Sequence, residues 1–437
     1  MKRLLATAAV GCALLAAGTA GATTHASRAA DGSPAPPINW GVADDASKYA
    51  DDGGAWFYER LAGANLTENR WTLAWNPSAP TAITELPFLE RAAPKAQAAG
   101  IHVVLALYSA DASQYDPHGF CAWAQLVAQT VKQWGIHDYI VGNEPNTLLY
   151  WSPQKDANGK DVAGPAYERL LAACYDAIHA GDPDATVIGM GLSPRASTPM
   201  SNDPLTFLRD VGAAYRASGR QTPIMDQLAI HPYPNPAKKG SPPDAGYDNP
   251  NDFGIPQLDR VKQAVWDAFH ATGQPTTLNG LTFRLDEVGW QTDTSGYPQY
   301  YGPENAPVVV SEQTQADYIR EMVQKYFACD PTVTDVELFL LVDEKYRNGR
   351  DETGKVVGGG WQSGLMTAGG QGVSTPKIAY TQDAPLFAEG RAACTAGMVT
   401  WAPQTTGGPR DPSTSTGPAG GTHHQTHKKH KKHHPHH

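Results

Sequence analysis

The chain has 437 residues, 41% of them hydrophobic and 18% charged, long enough to bury one large core or two ordinary ones. Its formal net charge of −10 hides a sharper imbalance, because between residues 30 and 411 only 27 lysines and arginines face 44 carboxylates, a net of about −17. So acidic a body argues against nucleic acid or an anionic surface as its main partner, and suits a neutral substrate such as an uncharged glycan.

Residues 1–29 read as a secretory leader. Lys2 and Arg3 give the charged start, Leu4 to Ala17 the apolar stretch, and Ala20-Gly21-Ala22 a small-residue cleavage site. Cys12 follows Ala9-Val10-Gly11 as in a lipoprotein site, but the apolar run continues past it, which favours the leader. No later stretch is long and apolar enough to span a bilayer. The expectation is an exported, extracellular protein.

Eight apolar, β-branched-rich runs predict strands near Ile38–Val42, Asn65–Thr72, His102–Tyr108, Tyr139–Gly142, Thr186–Gly191, Gln227–His231, Phe283–Val288 and Val336–Val342. Helix-period segments lie between them: Phe57–Ala62, Leu89–Ala98, Ala122–Trp134, Ala166–His179, Pro204–Ala217, Gln257–Ala271, Gln313–Phe327 and Pro376–Glu389. Eightfold strand–helix alternation predicts parallel strands joined by helical crossovers. An α/β fold, the (β/α)8 TIM barrel, accommodates this over residues 30–400. The alternative is a doubly wound open sheet. That fold usually carries a Gly-rich phosphate turn after its first strand, and none follows Trp40. Long loops after the sixth strand (Asn235–Ile255) and the seventh (Thr292–Val310) predict a substrate cleft at the strands' C-terminal ends.

Four cysteines remain after the leader: Cys121, Cys174, Cys329 and Cys394. An even count in an exported chain suggests disulfides, and four cysteines allow three pairings. Cys121–Cys174 with Cys329–Cys394 is favoured because it would join neighbouring helices; buried free thiols are the alternative. The spacings fit no metal site, and no metal or cofactor is expected.

Two strings point to chemistry: Val141-Gly142-Asn143-Glu144-Pro145-Asn146 and Leu285-Asp286-Glu287-Val288-Gly289-Trp290. Each sets a glutamate at the end of an apolar run, beside turn-forming Gly or Pro. Two carboxylates converging from different strand ends are the minimal equipment for cleaving a glycosidic bond, one protonating the leaving oxygen and one attacking the sugar carbon.

These motifs resemble the clan A retaining glycoside hydrolases, especially the cellulase-like families 5 and 39, in motif order from Ile38 to Ala393. The resemblance implies that Glu144 is the acid/base and Glu287 the nucleophile. It implies that Asn143 holds the sugar 2-hydroxyl and that Arg70 contacts the nucleophile. His231-Pro232-Tyr233 is similar to a sixth-strand element whose tyrosine bonds the nucleophile. Trp361-Gln362-Ser363-Gly364-Leu365, with Pro376-Lys377, resembles the closing segment before the last helix. Many relatives place a tryptophan under the reacting sugar at the end of strand eight. Here that strand ends Phe339-Leu340-Leu341-Val342-Asp343, leaving Trp361 as the candidate floor.

The chemistry carries further expectations. Arg70 beside Glu287 should lower its pKa and keep it ionised. Glu144 must begin protonated. Neighbours on an ideal strand face opposite ways, so Asn143 and Glu144 share a site only if the strand ends or bulges there. Trp151 and Trp361 are the preferred sugar-stacking candidates over Trp40, Trp71, Trp75 and Trp290. Asp111, Asn146, Gln291 and Asp343 are further polar candidates. The expected partner is a carbohydrate, not nucleic acid, and the expected state a monomer. A sugar-binding protein on the same barrel, and a transglycosylase using the same residues, are the rival readings.

Residues 401–437 collapse in composition to Thr, Gly, Pro and Ser, then to a His/Lys run holding eight of the fifteen histidines. Such a segment cannot bury enough apolar surface to fold. It reads as a solvated tail, with weak association with metal ions or an anionic envelope polymer as the functional alternative.

Overall fold

Eight parallel strands close on themselves in chain order, β1 pairing with β8 to complete the barrel. The computed structural model describes residues 35–404 except 305, 352, 354 and 356–359. The leader expected at 1–29 and the tail from residue 405 onward lie outside the described residues.

The strands are β1 (Asn39–Ala43), β2 (Glu68–Trp75), β3 (His102–Ser109), β4 (Asp138–Val141), β5 (Thr186–Leu192), β6 (Gln227–Ile230), β7 (Thr282–Val288) and β8 (Val333–Leu338). Helices α1 (Ala46–Tyr49) and α2 (Ala55–Gly63) follow β1, and α3 (Leu86–Ala98) follows β2. Next come α4 (Pro117–Val131), α5 (Ala163–Gly181), α6 (Pro204–Ser218), α7 (Leu258–Phe269) and α8 (Glu312–Met322), one after each of strands three to seven. The ring closes with α9 (Ile378–Gln382) and α10 (Ala384–Glu389) after β8.

Local chemistry sets these boundaries. The Asp116 carboxylate accepts from the His118 and Gly119 amides, and Pro117 opens α4. Gly219, at φ 73°, ends α6 in a left-handed conformation. The last predicted helix breaks in two because Pro385 cannot continue the turn that precedes it.

Two strands differ from their predictions, and β2 runs Glu68–Trp75, three residues later than Asn65–Thr72. β8 runs Val333–Leu338, not Val336–Val342. Its apolar run outlasts the ladder because Leu340 and Leu341 stay buried as irregular chain. There the Leu341 and Val342 amides donate to the Asp44 carboxylate at 3.1 Å each.

The barrel interior is layered. Near the strands' N-terminal ends, buried Arg284 pairs with Glu68, Asp138 and Asp335 at 3.1, 3.2 and 3.2 Å, and with Glu337. Above it lies a small apolar layer of Val104, Ala106, Ile140, Ile188 and Ala229. Above that, alternation along β2 and β7 brings Arg70 and Asp286 into the upper interior. Disulfides join Cys121 of α4 to Cys174 of α5, and Cys329 to Cys394, the favoured pairing. Among the described residues no helix is long and apolar enough to cross a membrane.

Candidate active site

The strands' C-terminal ends surround a cavity of about 870 Å³ whose wall includes Arg70, Asn143, Glu144, Tyr233, Glu287 and Trp361. The two glutamates come from opposite sides of the barrel, after β4 and within β7.

Asn143 and Glu144 share the wall because β4 has already ended. Gly142 and Glu144 adopt left-handed φ angles of 92° and 42°, which breaks the strand's alternation. The Glu144 amide donates to the Gly191 carbonyl at 2.8 Å. At that point β5 shifts register against β6 between Met190 and Leu192. A Cβ on Gly191 would stand 3.4 Å from His231 Nε2 and 3.5 Å from Asp286 Oδ2, ordinary contact distances, so it is the left-handed φ of 57° that favours glycine there.

Arg70 is 3% exposed and spreads its three nitrogens over three residues. Nη1 donates to Glu287 Oε1 at 3.0 Å, Nη2 to Asn143 Oδ1 at 2.6 Å, and Nε faces Asp286 Oδ2 at 3.3 Å. The Tyr233 hydroxyl donates to Glu287 Oε2 at 3.3 Å. His231 Nδ1 lies 3.0 Å from Glu144 Oε1 and 3.6 Å from Glu287 Oε2. Those two carboxylate oxygens are therefore at most 6.6 Å apart, the sum of 3.0 and 3.6 Å.

Burial and charge compete over these groups. Burial raises the Glu287 pKa, the His231 and Arg70 charges pull it down, and Glu144 and Asp286 push it up again. Burial prevails, so Glu287 sits above the ordinary range. The sequence expectation gave Arg70 the correct sign but left out burial. For His231 burial disfavours the cation, yet Glu287 and Asp286 outweigh it and hold the imidazole well above its usual value. Asp286 is driven up by burial and down, more strongly in sum, by His231 and Arg70.

Two expectations are corrected. His231 was expected on the substrate-binding wall; it is 0% exposed and lies beneath the wall, against both glutamates. Trp151 was expected to stack on sugar; it is buried and stacks instead on Tyr115 at 4.4 Å. Its loop folds back toward α4, where the ring finds aromatic partners.

The lesser candidates divide similarly. Trp40, Trp71 and Trp75 are packing residues of the core. Trp290, Gln291 and Asp343 line the cavity. Asn146 is fully buried and accepts from the Ser193 amide, while Asp111 closes an exposed turn by accepting from the Ser113 amide.

Trp361 is 41% exposed, stacks at 6.2 Å on Tyr233, and meets Phe339 edge-on at 5.5 Å. Phe339 lines the cavity where β8 gives out, and its part in supporting the tryptophan was not read from sequence. Asp286 was missed too. Its sign was legible, since a charge two residues after Arg284 in an apolar strand points to the same interior face. Among the described residues no group of three or more His, Cys, Asp or Glu is placed to hold a metal ion.

No family model and no curated relative matches the chain. Solved structures do match it. A family 39 glycoside hydrolase from the gut symbiont Bacteroides cellulosilyticus WH2 superposes with a TM-score of 0.53 at 16% identity, over 80% of this chain and 63% of its own. A family 1 β-glucosidase from Thermotoga maritima superposes with a TM-score of 0.51 at 11% identity, over 83% of this chain and 99% of its own. This chain thus spans less than two thirds of the first of these proteins. The likeness shows a shared fold, the (β/α)8 barrel of these glycoside hydrolases.

Proposed function

We propose that this protein is an exported retaining β-glycosidase acting on an uncharged glycan or glycoside. The observation that carries the reading is the pair of carboxylates bridged by one imidazole nitrogen, with facing oxygens at most 6.6 Å apart. Retaining enzymes need carboxyl groups ~5–5.5 Å apart, and inverting enzymes ~6.5–9.5 Å, to admit a water between them.

In this reading Glu287 attacks the anomeric carbon and Glu144 gives its proton to the leaving oxygen; water then reverses both steps. Arg70 and Tyr233 fix the Glu287 carboxylate from two sides. Because Arg70 engages Asn143 Oδ1, the amide nitrogen of Asn143 is left as the donor for a sugar hydroxyl. Trp361 offers an exposed ring to the apolar face of a pyranose. Among the described wall residues, six carboxylates (Asp44, Asp45, Glu144, Glu287, Asp343, Glu344) face two arginines (Arg70, Arg195). Such a wall disfavours uronic acids and sulfated sugars. The two disulfides fit export to an oxidising compartment. The protein is proposed to act as a monomer.

The test is a screen of aryl β-glycosides and neutral polysaccharides, with the anomer of the first product followed by NMR. Retention is expected; a first product of inverted configuration would refute the covalent mechanism. Glu287→Gly should abolish hydrolysis, with no azide rescue to the original anomer. Glu144→Ala should keep activity on good leaving groups and be rescued by azide with retained configuration. The opposite pattern would exchange the two roles.

A further inference from the structure

We propose that Asp286 is a positioning residue. It fixes the orientation and the second proton of His231, whose Nδ1–H bonds Glu144 and whose positive charge balances whichever of Glu144 and Glu287 is ionised. This rests on the glycosidase reading above and assigns work to two residues that touch no substrate.

Lone pairs decide where the protons of His231 sit. His231 Nδ1 faces Glu144 Oε1 at 3.0 Å and Glu287 Oε2 at 3.6 Å, while Nε2 faces Asp286 Oδ1 at 3.3 Å. Both ring nitrogens therefore point at carboxylate oxygens. With the Glu144 proton directed at the leaving oxygen, a bare nitrogen on either side would set lone pair against lone pair in a buried site, so the geometry calls for a hydrogen on each. Asp286 and His231 are both 0% exposed. Neither Asp286 oxygen, His231 Nε2 nor Arg70 Nε makes an aligned hydrogen bond among the described residues. At 3.3 Å these four atoms have only one another. The charged groups around His231 are Glu144 after β4, Asp286 and Glu287 of β7, and Arg70 of β2 beyond Asp286. β5 presents only the Gly191 backbone.

The charges balance through both steps. Arg70 and His231 supply two positive charges; Asp286 and the ionised Glu287 supply two negative ones, with the proton on Glu144. In the first step a Glu287 oxygen bonds the anomeric carbon, the glycosidic C–O bond breaks, and the leaving oxygen takes the Glu144 proton. Glu287 is now a neutral ester and Glu144 the carboxylate, so the sum is unchanged. The His231 ring bonds Glu144 at 3.0 Å and stands 3.6 Å from Glu287, so its positive charge acts on whichever of the two is ionised without a change of position. In the second step water gives a proton to Glu144, its oxygen bonds the anomeric carbon, and the ester bond breaks.

Asparagine cannot replace Asp286. It has one acceptor oxygen and must set its amide hydrogens against either Arg70 Nε–H or His231 Nε2–H. Facing His231, it would favour the neutral imidazole with a bare Nε2.

The test reads both the proton and the rate. In full-length protein labelled with ¹⁵N-histidine, the His231 resonances, assigned by comparison with His231→Asn, should show both nitrogens protonated at pH 7. Asp286→Asn should lose that signature and lower kcat at least about tenfold, with KM within about threefold. A neutral His231 in the native protein overturns the proposal, as does Asp286→Asn with native kcat. If Asp286→Asn fails to fold, the native protein's resonances still decide. If the native protein hydrolyses none of the glycosides, the glycosidase reading fails by itself, and the resonances still report whether Asp286 holds the imidazolium.

Discussion

Replacing Arg70 separates charge from geometry at this site. Its three nitrogens reach Glu287, Asn143 and Asp286 at 3.0, 2.6 and 3.3 Å. A lysine supplies one nitrogen and keeps the charge but at most one of those contacts. Two charge-assisted contacts are lost, worth ~1.5–3 kcal/mol each, or ~3–6 kcal/mol together. Part of that loss falls on folding, because Arg70 is buried. If about half falls on the transition state, kcat/KM of Arg70→Lys should drop about ten- to a hundredfold. Arg70→Met removes the charge as well. Burial raises the Glu287 pKa while His231 and Arg70 oppose it, so losing Arg70 moves it further up. Glu287 must be ionised to attack, so the acidic limb of the pH–kcat/KM profile should move to higher pH in Arg70→Met and much less in Arg70→Lys. The assay is kcat/KM on an aryl β-glycoside across pH, with urea melts to report stability. Arg70→Lys within about threefold of the native rate would refute the fork's role. An unmoved acidic limb in Arg70→Met would refute the electrostatic argument.

Trp361→Ala removes an exposed stacking face worth ~1–1.5 kcal/mol, so KM should rise about five- to tenfold with kcat nearly kept; an unchanged KM would remove Trp361 from the binding surface. Non-reducing peptide maps of exported protein should recover Cys121–Cys174 and Cys329–Cys394, and four alkylatable thiols would refute both. Replacing the first pair with serines opens a 53-residue cross-link, costing ~4 kcal/mol and, for this size, ~5 °C in Tm by calorimetry. Cutting the chain after Asp411 should leave kcat/KM on a small glycoside within about twofold, and a loss of tenfold or more would mean the tail reaches the cleft.

The barrel was legible because parallel strands buried on both faces read as short apolar runs, and helices between them keep a different period. The same rule misplaced β8, since Leu340 and Leu341 are as apolar as a strand yet belong to irregular chain held by Asp44. That hydrogen bond joins residues almost 300 positions apart, and no local pattern announces it. That Glu144 and Glu287 line one cavity was legible from their place at strand ends. The distinction between a wall residue and one behind the wall was not. His231 and Tyr233 are two residues apart, yet the ring at 231 is covered and the ring at 233 lines the cavity. Trp151 failed for a similar reason, because a loop tryptophan reads as exposed until Tyr115 is seen stacked on it. Asp286 needed only the alternation argument already applied to its strand.

The barrel holds two arginine-centred charge clusters, and they differ in exposure. Arg284 sits among Glu68, Asp138, Asp335 and Glu337, and Arg70 among Asp286, Glu287 and the Asn143 carbonyl. Both are buried, and both need their partners to offset desolvation. In the lower cluster the Glu68 and Glu337 side chains are 2% and 0% exposed. Neither lines the cavity. In the upper cluster the Glu287 and Glu144 side chains are 14% and 19% exposed, opening onto the cavity, while the His231 and Asp286 side chains behind them are 0%. The layer of Val104, Ala106, Ile140, Ile188 and Ala229 lies between the clusters. The same residue types thus hold the barrel together at one end and, at the other, leave two carboxylates within reach of a sugar. Exposure of those two carboxylates, and not the presence of buried charge, is what singles out the upper cluster as the proposed reaction site.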